Sequence, residues 1–160
     1  MKLLRFFIFV ILAVSLLPSS IAAEWQWSVQ ISGIVSNETN DHPQAFLWIP
    51  SDCVQVKGVM MGTNNMTEET LFESALFREK MSEIGLALIW ITPGWDQKWD
   101  ITAGSQKAFE QMLDDFASVS GYNELKYAPI VPFGHSAMAT YPWNLSLIHI
   151  SEPTRLRRIS

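Results

Sequence analysis

The sequence predicts an α/β fold, with an N-terminal antiparallel hairpin followed by parallel βαβ units. Three observations lead there. Apolar residues first recur at every second position. Two segments then run strand, helix, strand. A last apolar run stops in a turn that carries glycine and serine. At 160 residues the chain is one domain at most, and an apolar content of 48% is enough for a core.

The first strand is expected within residues 24–35, where Trp25, Trp27, Val29 and Ile31 alternate with polar side chains. Gly33 and the turn-rich residues 36–43 end it. Residues 45–49 form a second short strand, closed by Pro50-Ser51-Asp52, and the two read as an antiparallel pair at a sheet edge. Residues 55–61 are the third strand. Thr67 suits a helix N-cap, with Glu68 and Glu69 placed favourably in the first turn. Leu71, Phe72, Ala75, Leu76 and Ile84 give one helical apolar face, and Gly85 stops the helix. Residues 86–91 are continuously apolar, as a parallel strand covered on both faces requires.

Pro93-Gly94 opens a loop that carries Trp95, Asp96, Trp99 and Asp100. Helical spacing resumes near Ser105 with Ala108, Phe109, Met112, Leu113 and Phe116, and stops at Ser120-Gly121. Residues 127–133 complete a second βαβ unit. Pro129 and Pro132 sit awkwardly in that strand, because each lacks a ladder donor.

Residues 1–23 are expected to be a signal peptide. Lys2 and Arg5 precede an apolar stretch over residues 6–17, Pro18-Ser19-Ser20 breaks it, and Ala22 or Ala23 offers a cleavage position. The stretch is shorter than the roughly 20 residues of a membrane span. Stable membrane insertion after cleavage is therefore not expected, an uncleaved anchor being the other reading of the same residues. The expected location is secreted or periplasmic. Residues 24–144 hold fifteen Asp and Glu against six Lys and Arg, so no basic stripe exists for nucleic acid. The single cysteine, Cys53, excludes an intrachain disulfide. Asn37-Glu38-Thr39 and Asn65-Met66-Thr67 match the N-glycosylation sequon.

The run Pro132-Phe133-Gly134-His135-Ser136-Ala137-Met138-Ala139 organises the rest. It places one serine at a strand-to-helix turn, with a glycine two residues before it and small residues after. On this run the chain resembles the α/β-hydrolase fold, where the nucleophilic serine occupies an elbow of this kind. The resemblance implies a strained backbone at Ser136, with small flanking residues that let the chain cross itself. Met138 departs from the pattern, standing where the second glycine usually falls, and Ala139 restores a small residue one place later. An alternative is a plain strand–turn–helix junction of another α/β protein.

The resemblance covers the chain from the hairpin through the elbow. It implies a secreted serine hydrolase that cleaves carboxylic esters, with Ser136 as nucleophile and the Ala137 N–H as one oxyanion donor. The second donor comes from the loop after the third strand, here Gly62 to Asn65, through the Thr63 or Asn64 N–H, though the same residues suit an ordinary turn. Trp95 and Trp99 lie at the carboxyl end of a strand, where open α/β sheets bind ligands, and would face a small-molecule or polysaccharide-linked ester. Tyr141 and Trp143 are further aromatic candidates. No cofactor or metal is implied. His135 is too close in sequence to serve Ser136 as base, His42 sits in an early loop, and Asp114 and Asp115 read as solvated charges. The triad acid and histidine are expected downstream of the elbow. A secreted carbohydrate-binding protein on a hydrolase-like frame, without catalysis, is the alternative of a different class.

Residues 145–155, Leu-Ser-Leu-Ile-His-Ile-Ser-Glu-Pro-Thr-Arg, resemble the translation of a transposase-type sequencing adapter. Native sequence is therefore expected to end near Asn144, with residues 145–160 a non-native tail. His149 is assigned no chemistry. The chain as written is expected to fold poorly and to lack turnover.

Overall fold

A computed structural model describes residues 24–94 and 104–151. The elements are β1 (Trp27–Gln30), β2 (Gln44–Trp48), β3 (Gly58–Thr63), α1 (Glu68–Glu73), α2 (Ala75–Ile84), β4 (Leu86–Thr92), α3 (Ser105–Ser120), β5 (Ile130–Phe133) and α4 (Tyr141–Ser151). Short 3-10 turns occupy Asn123–Lys126 and Ser136–Thr140. The strands form one sheet in the order β1-β2-β4-β3-β5. β1 pairs antiparallel with β2, and β2 antiparallel with β4. β3 lies parallel to both β4 and β5. The molecule is thus a mixed α/β fold, and its antiparallel pair occupies one edge as expected.

Alternation along the strands sorts side chains onto two faces. Val29, Ala45, Leu47, Val59, Met61, Ile89 and Ile91 point to one face and pack against Phe109, Met112, Leu113 and Phe116 of α3. Phe46, Trp48, Met60, Leu88 and Trp90 point to the other and meet Phe72 of α1 and Phe77 and Met81 of α2. β4 is covered on both faces, which is why its sequence is continuously apolar rather than alternating.

The helix expected after the third strand is two helices. Ser74 is extended between them (φ −63°, ψ 122°), and its hydroxyl accepts from the Phe77 N–H to start α2. Arg78 Nε donates to Phe72 O at 2.7 Å, which satisfies a carbonyl near the end of α1. The break resets the helical phase. Leu76 and Ile84, expected in the core, are 67% and 51% exposed, and Phe77 and Met81 face the sheet instead. Gly85 ends α2 in the left-handed region (φ 75°), as expected.

Arg78 also ties the start of the described chain to this layer. Its guanidinium lies 4.7 Å from the Trp25 ring and 5.0 Å from the Trp48 ring, and Nη1 donates to Glu24 O. Burial pushes its pKa down to about 10, with Glu73 opposing.

The third strand starts at Gly58, later than expected, because the Lys57 N–H still turns toward Gly85 O. The fifth starts at Ile130, after the 3-10 turn around buried Leu125. The two prolines cost the ladder nothing. Pro129 precedes the strand and only accepts, from the Val59 N–H at 2.8 Å. Pro132 alternates with it, so its nitrogen faces away from β3. α4 runs through the expected boundary at Asn144, and Leu145 is buried in the larger cluster. The expected signal peptide lies outside the described residues, and among the described residues no helix is long and apolar enough to cross a membrane.

Candidate functional site

β3 and β5 run side by side and in parallel, with Gly62 opposite Phe133, so the loops that leave their carboxyl ends meet. One loop is residues 64–67. The other is the Gly134-His135-Ser136 turn.

Ser136 has φ +54°. Among the described residues, Asn40 is the other non-glycine with positive φ. Asparagine tolerates that region, but for serine it stores strain of about 1–3 kcal/mol. Strain of this size persists only where the surroundings over-determine the backbone. Here they do. The His135 N–H donates to Glu68 Oε1 at 2.8 Å, and His135 O accepts from Asn65 Nδ2 at 2.5 Å and from the Met138 N–H at 3.1 Å. A Cβ on Gly134 would lie 2.2 Å from Met138 O, so only glycine fits where the chain crosses itself. This is the steric demand expected from the sequence. Met138 is accommodated because only its backbone crosses at Gly134, while its side chain is buried in the larger core. Ser136 and Ala137 are exposed. Ala137 stands in the first turn of the 3-10 segment Ser136–Thr140, where an N–H has no acceptor within the helix. A 3-10 turn, rather than the expected α-helix, thus follows the serine directly.

Tyr141 braces the elbow from beneath. Its hydroxyl accepts from the Phe133 N–H at 3.1 Å and donates its proton toward Met61 O at 2.5 Å, with Phe133 O at 2.9 Å. It therefore bridges β3 and β5 where the elbow draws them apart. Burial pushes the phenol's pKa well up; nearby Glu68 adds to this, and the hydrogen bond at the Phe133 backbone opposes it. Tyr141 is fully buried, so it is a structural residue and not a substrate-facing aromatic. Trp143 is 77% exposed on α4. Trp95 and Trp99 lie outside the described residues.

Of the two expected second oxyanion donors, one has its N–H engaged elsewhere. Thr63 is fully buried at the end of β3. Asn64 donates its N–H to Ile91 O at 2.7 Å, which extends the β3–β4 ladder by one residue beyond Thr63. The parallel register runs further than the glycine at position 62 suggests, and that glycine instead takes the Phe72 ring, about 3 Å from where its Cβ would be. Asn65 is the first residue of the loop to reach the elbow.

His42 turns its Nδ1 to Ile34 O at 2.6 Å, so it holds its own loop. Asp114 faces Lys126 at 3.8 Å, and Asp115 accepts from Gln111. Among the described residues no group of His, Cys, Asp and Glu is arranged to hold a metal. A concavity of about 310 Å3 lies at the opposite edge of the sheet, between residues 30–33 and α3, and shares no residue with the elbow. Glu68 was not singled out in the sequence as a site residue, and Asn65 entered there only as the end of the expected oxyanion loop. Their one signal there is position, on the loop after a strand that the fold sets beside the elbow.

No family model matches the chain, and no curated protein or solved structure is significantly similar to it. The class defined by the fold itself is a mixed α/β protein with a five-stranded open sheet.

Proposed function

We propose that the protein is a secreted serine hydrolase of the α/β-hydrolase type that cleaves carboxylic esters through Ser136. The observation that carries this reading is the left-handed backbone of Ser136 directly after a parallel strand, at a crossing that only Gly134 permits. Nothing in the packing of a plain strand-to-helix junction calls for a strained, exposed serine. The antiparallel pair ahead of the parallel strands agrees with the same resemblance.

In the proposed reaction, Ser136 Oγ attacks the ester carbonyl carbon and gives its proton to a histidine base. The ester C–O bond breaks, the alcohol leaves with that proton, and water then hydrolyses the acyl-enzyme. The Ala137 N–H stabilises the oxyanion, and the second donor comes from the backbone of the loop after β3, at Asn65 because the Asn64 N–H is engaged by Ile91 O. The acid and the histidine are proposed to come from sequence that follows the elbow in the native gene. The substrate class is a small-molecule or polysaccharide-linked ester. The exposed indole of Trp143, in the first turn of α4 after the elbow's 3-10 segment, favours a second reading: a carbohydrate-binding protein without catalysis.

Re-sequencing the source DNA across the Asn144 codon with a different library chemistry tests the first step. A frame that continues to an acid and then a histidine supports the enzyme. In the complete protein, Ser136→Ala is expected to lower hydrolysis of p-nitrophenyl acetate by at least about 10³-fold. Full activity in that variant would sink the nucleophile assignment.

A further inference from the structure

Glu68 is fully buried, and neither of the ion pairs seen among the described residues involves it. A carboxylate taken out of water without a cation is costly unless hydrogen bonds replace its hydration. Both of its oxygens are so used, and both partners are backbone N–H groups. Oε1 accepts from His135 at 2.8 Å, and Oε2 accepts from Thr67 at 3.0 Å. The same loop reaches the other side of the His135 residue, where Asn65 Nδ2 donates to His135 O. His135 is extended (φ −114°, ψ 146°), and the next residue is the left-handed Ser136. The residue just before the left-handed turn is therefore gripped at its N–H by the first residue of α1 and at its C=O by the loop that leads into that helix.

A carboxylate is a poor choice if the only need is to fill the space beneath α1. It suits a site where a backbone N–H must be held in one position, because a charge-assisted bond is short and directional. We propose that Glu68 and Asn65 are positioning residues for Ser136, locking the elbow to the β3–α1 loop so that the nucleophile and the oxyanion donors keep one separation. This rests on the serine hydrolase reading above. Neither side chain need touch substrate. Both act through His135.

The test uses the complete protein with two probes, a fluorophosphonate that phosphonylates activated serine and p-nitrophenyl acetate. Wild-type protein is expected to be labelled at Ser136, as located by peptide mass spectrometry. Glu68→Ala and Asn65→Asp are each expected to slow labelling and lower kcat by about 10²-fold with KM little changed, the loss that a misplacement of about 1 Å produces. Glu68→Gln keeps one oxygen for the His135 N–H and is expected to restore kcat to within about fivefold of wild type. Asn65→Asp keeps the size of a half-buried side chain, so it decides the matter even where Glu68→Ala fails to fold. Folded Asn65→Asp that labels at the wild-type rate overturns the positioning role and leaves the hydrolase reading standing. Wild-type protein that is not labelled at Ser136 overturns the hydrolase reading, and the positioning role with it.

Discussion

At the scale of single residues, the elbow separates what the proposed chemistry needs from what stability prefers. Ser136 holds a positive φ that costs a side-chain-bearing residue about 1–3 kcal/mol. Ser136→Gly should remove that strain, and Ser136→Ala should keep it. The glycine variant is therefore expected to be the more stable of the two by about 1 kcal/mol in urea unfolding, even after its greater unfolded-state entropy is counted. Equal stabilities would mean that the turn is relaxed. The requirement for Gly134 was legible in the sequence, because a crossing chain excludes a Cβ. The partners of His135 were not. Glu68 reads along the chain as a first-turn acid that favours the helix dipole, and only the adjacency of β3 and β5 turns it inward to the elbow.

At the scale of elements, the same limit shows in the helix after β3. Its apolar spacing reads as one helix because Leu71, Phe72, Ala75 and Leu76 keep phase. The break at Ser74 depends on Arg78 returning to Phe72 O, a tertiary contact that periodicity does not encode. Likewise Asn64 reads as free loop, whereas a ladder bond to Ile91 absorbs its N–H. By contrast, α3 and β4 were readable almost to the residue, since burial alone dictates their patterns. The joint between β3, β5 and α4 rests on the Tyr141 hydroxyl. Tyr141→Phe leaves the Phe133 N–H and Met61 O without that partner and is expected to cost about 1–3 kcal/mol near neutral pH. The phenol's pKa is raised on folding from 10.0, so folded protein holds this proton more tightly than unfolded chain. The stability it contributes is complete below about pH 10 and is lost as pH climbs toward the raised folded value. Urea midpoints at about pH 8 and about pH 11 should therefore differ less in Tyr141→Phe than in wild type. An equal drop in both would place the alkaline loss elsewhere.

At the scale of the molecule, the sheet divides the protein into two unequal apolar layers, and both reach the elbow, the larger through Met138 and Tyr141 and the smaller through Phe72 and Phe133. Phe72 lies in the smaller layer, stacks near Phe77, and meets both Gly62 and Phe133, the opposed residues from which the two site loops depart. Phe116 lies in the larger layer beneath α3. Both are fully buried, and truncation of either to alanine is expected to cost about 3–5 kcal/mol. Phe72→Ala alone should also slow phosphonylation of Ser136 in protein that remains folded. Matching losses of reactivity in the two variants would show that the site senses global stability and not this layer. The overall α/β arrangement was legible because strands and helices alternate in the sequence. The division of labour between layers was not, since it follows from which helix crosses to which face.

The bond from Asn65 to His135 has a consequence for biosynthesis. Asn65-Met66-Thr67 is a sequon, and the nitrogen that a glycosyltransferase would modify is the one that grips the elbow. Asn37, in the other sequon, is exposed on a turn and can carry a sugar without disturbing anything described here. In a eukaryotic host the two acceptors are therefore not equivalent: one adds an ornament, and the other sets a glycan against the candidate nucleophile's support. The tag is best erased through Thr67, whose side chain makes no capping bond, and not through Asn65 itself.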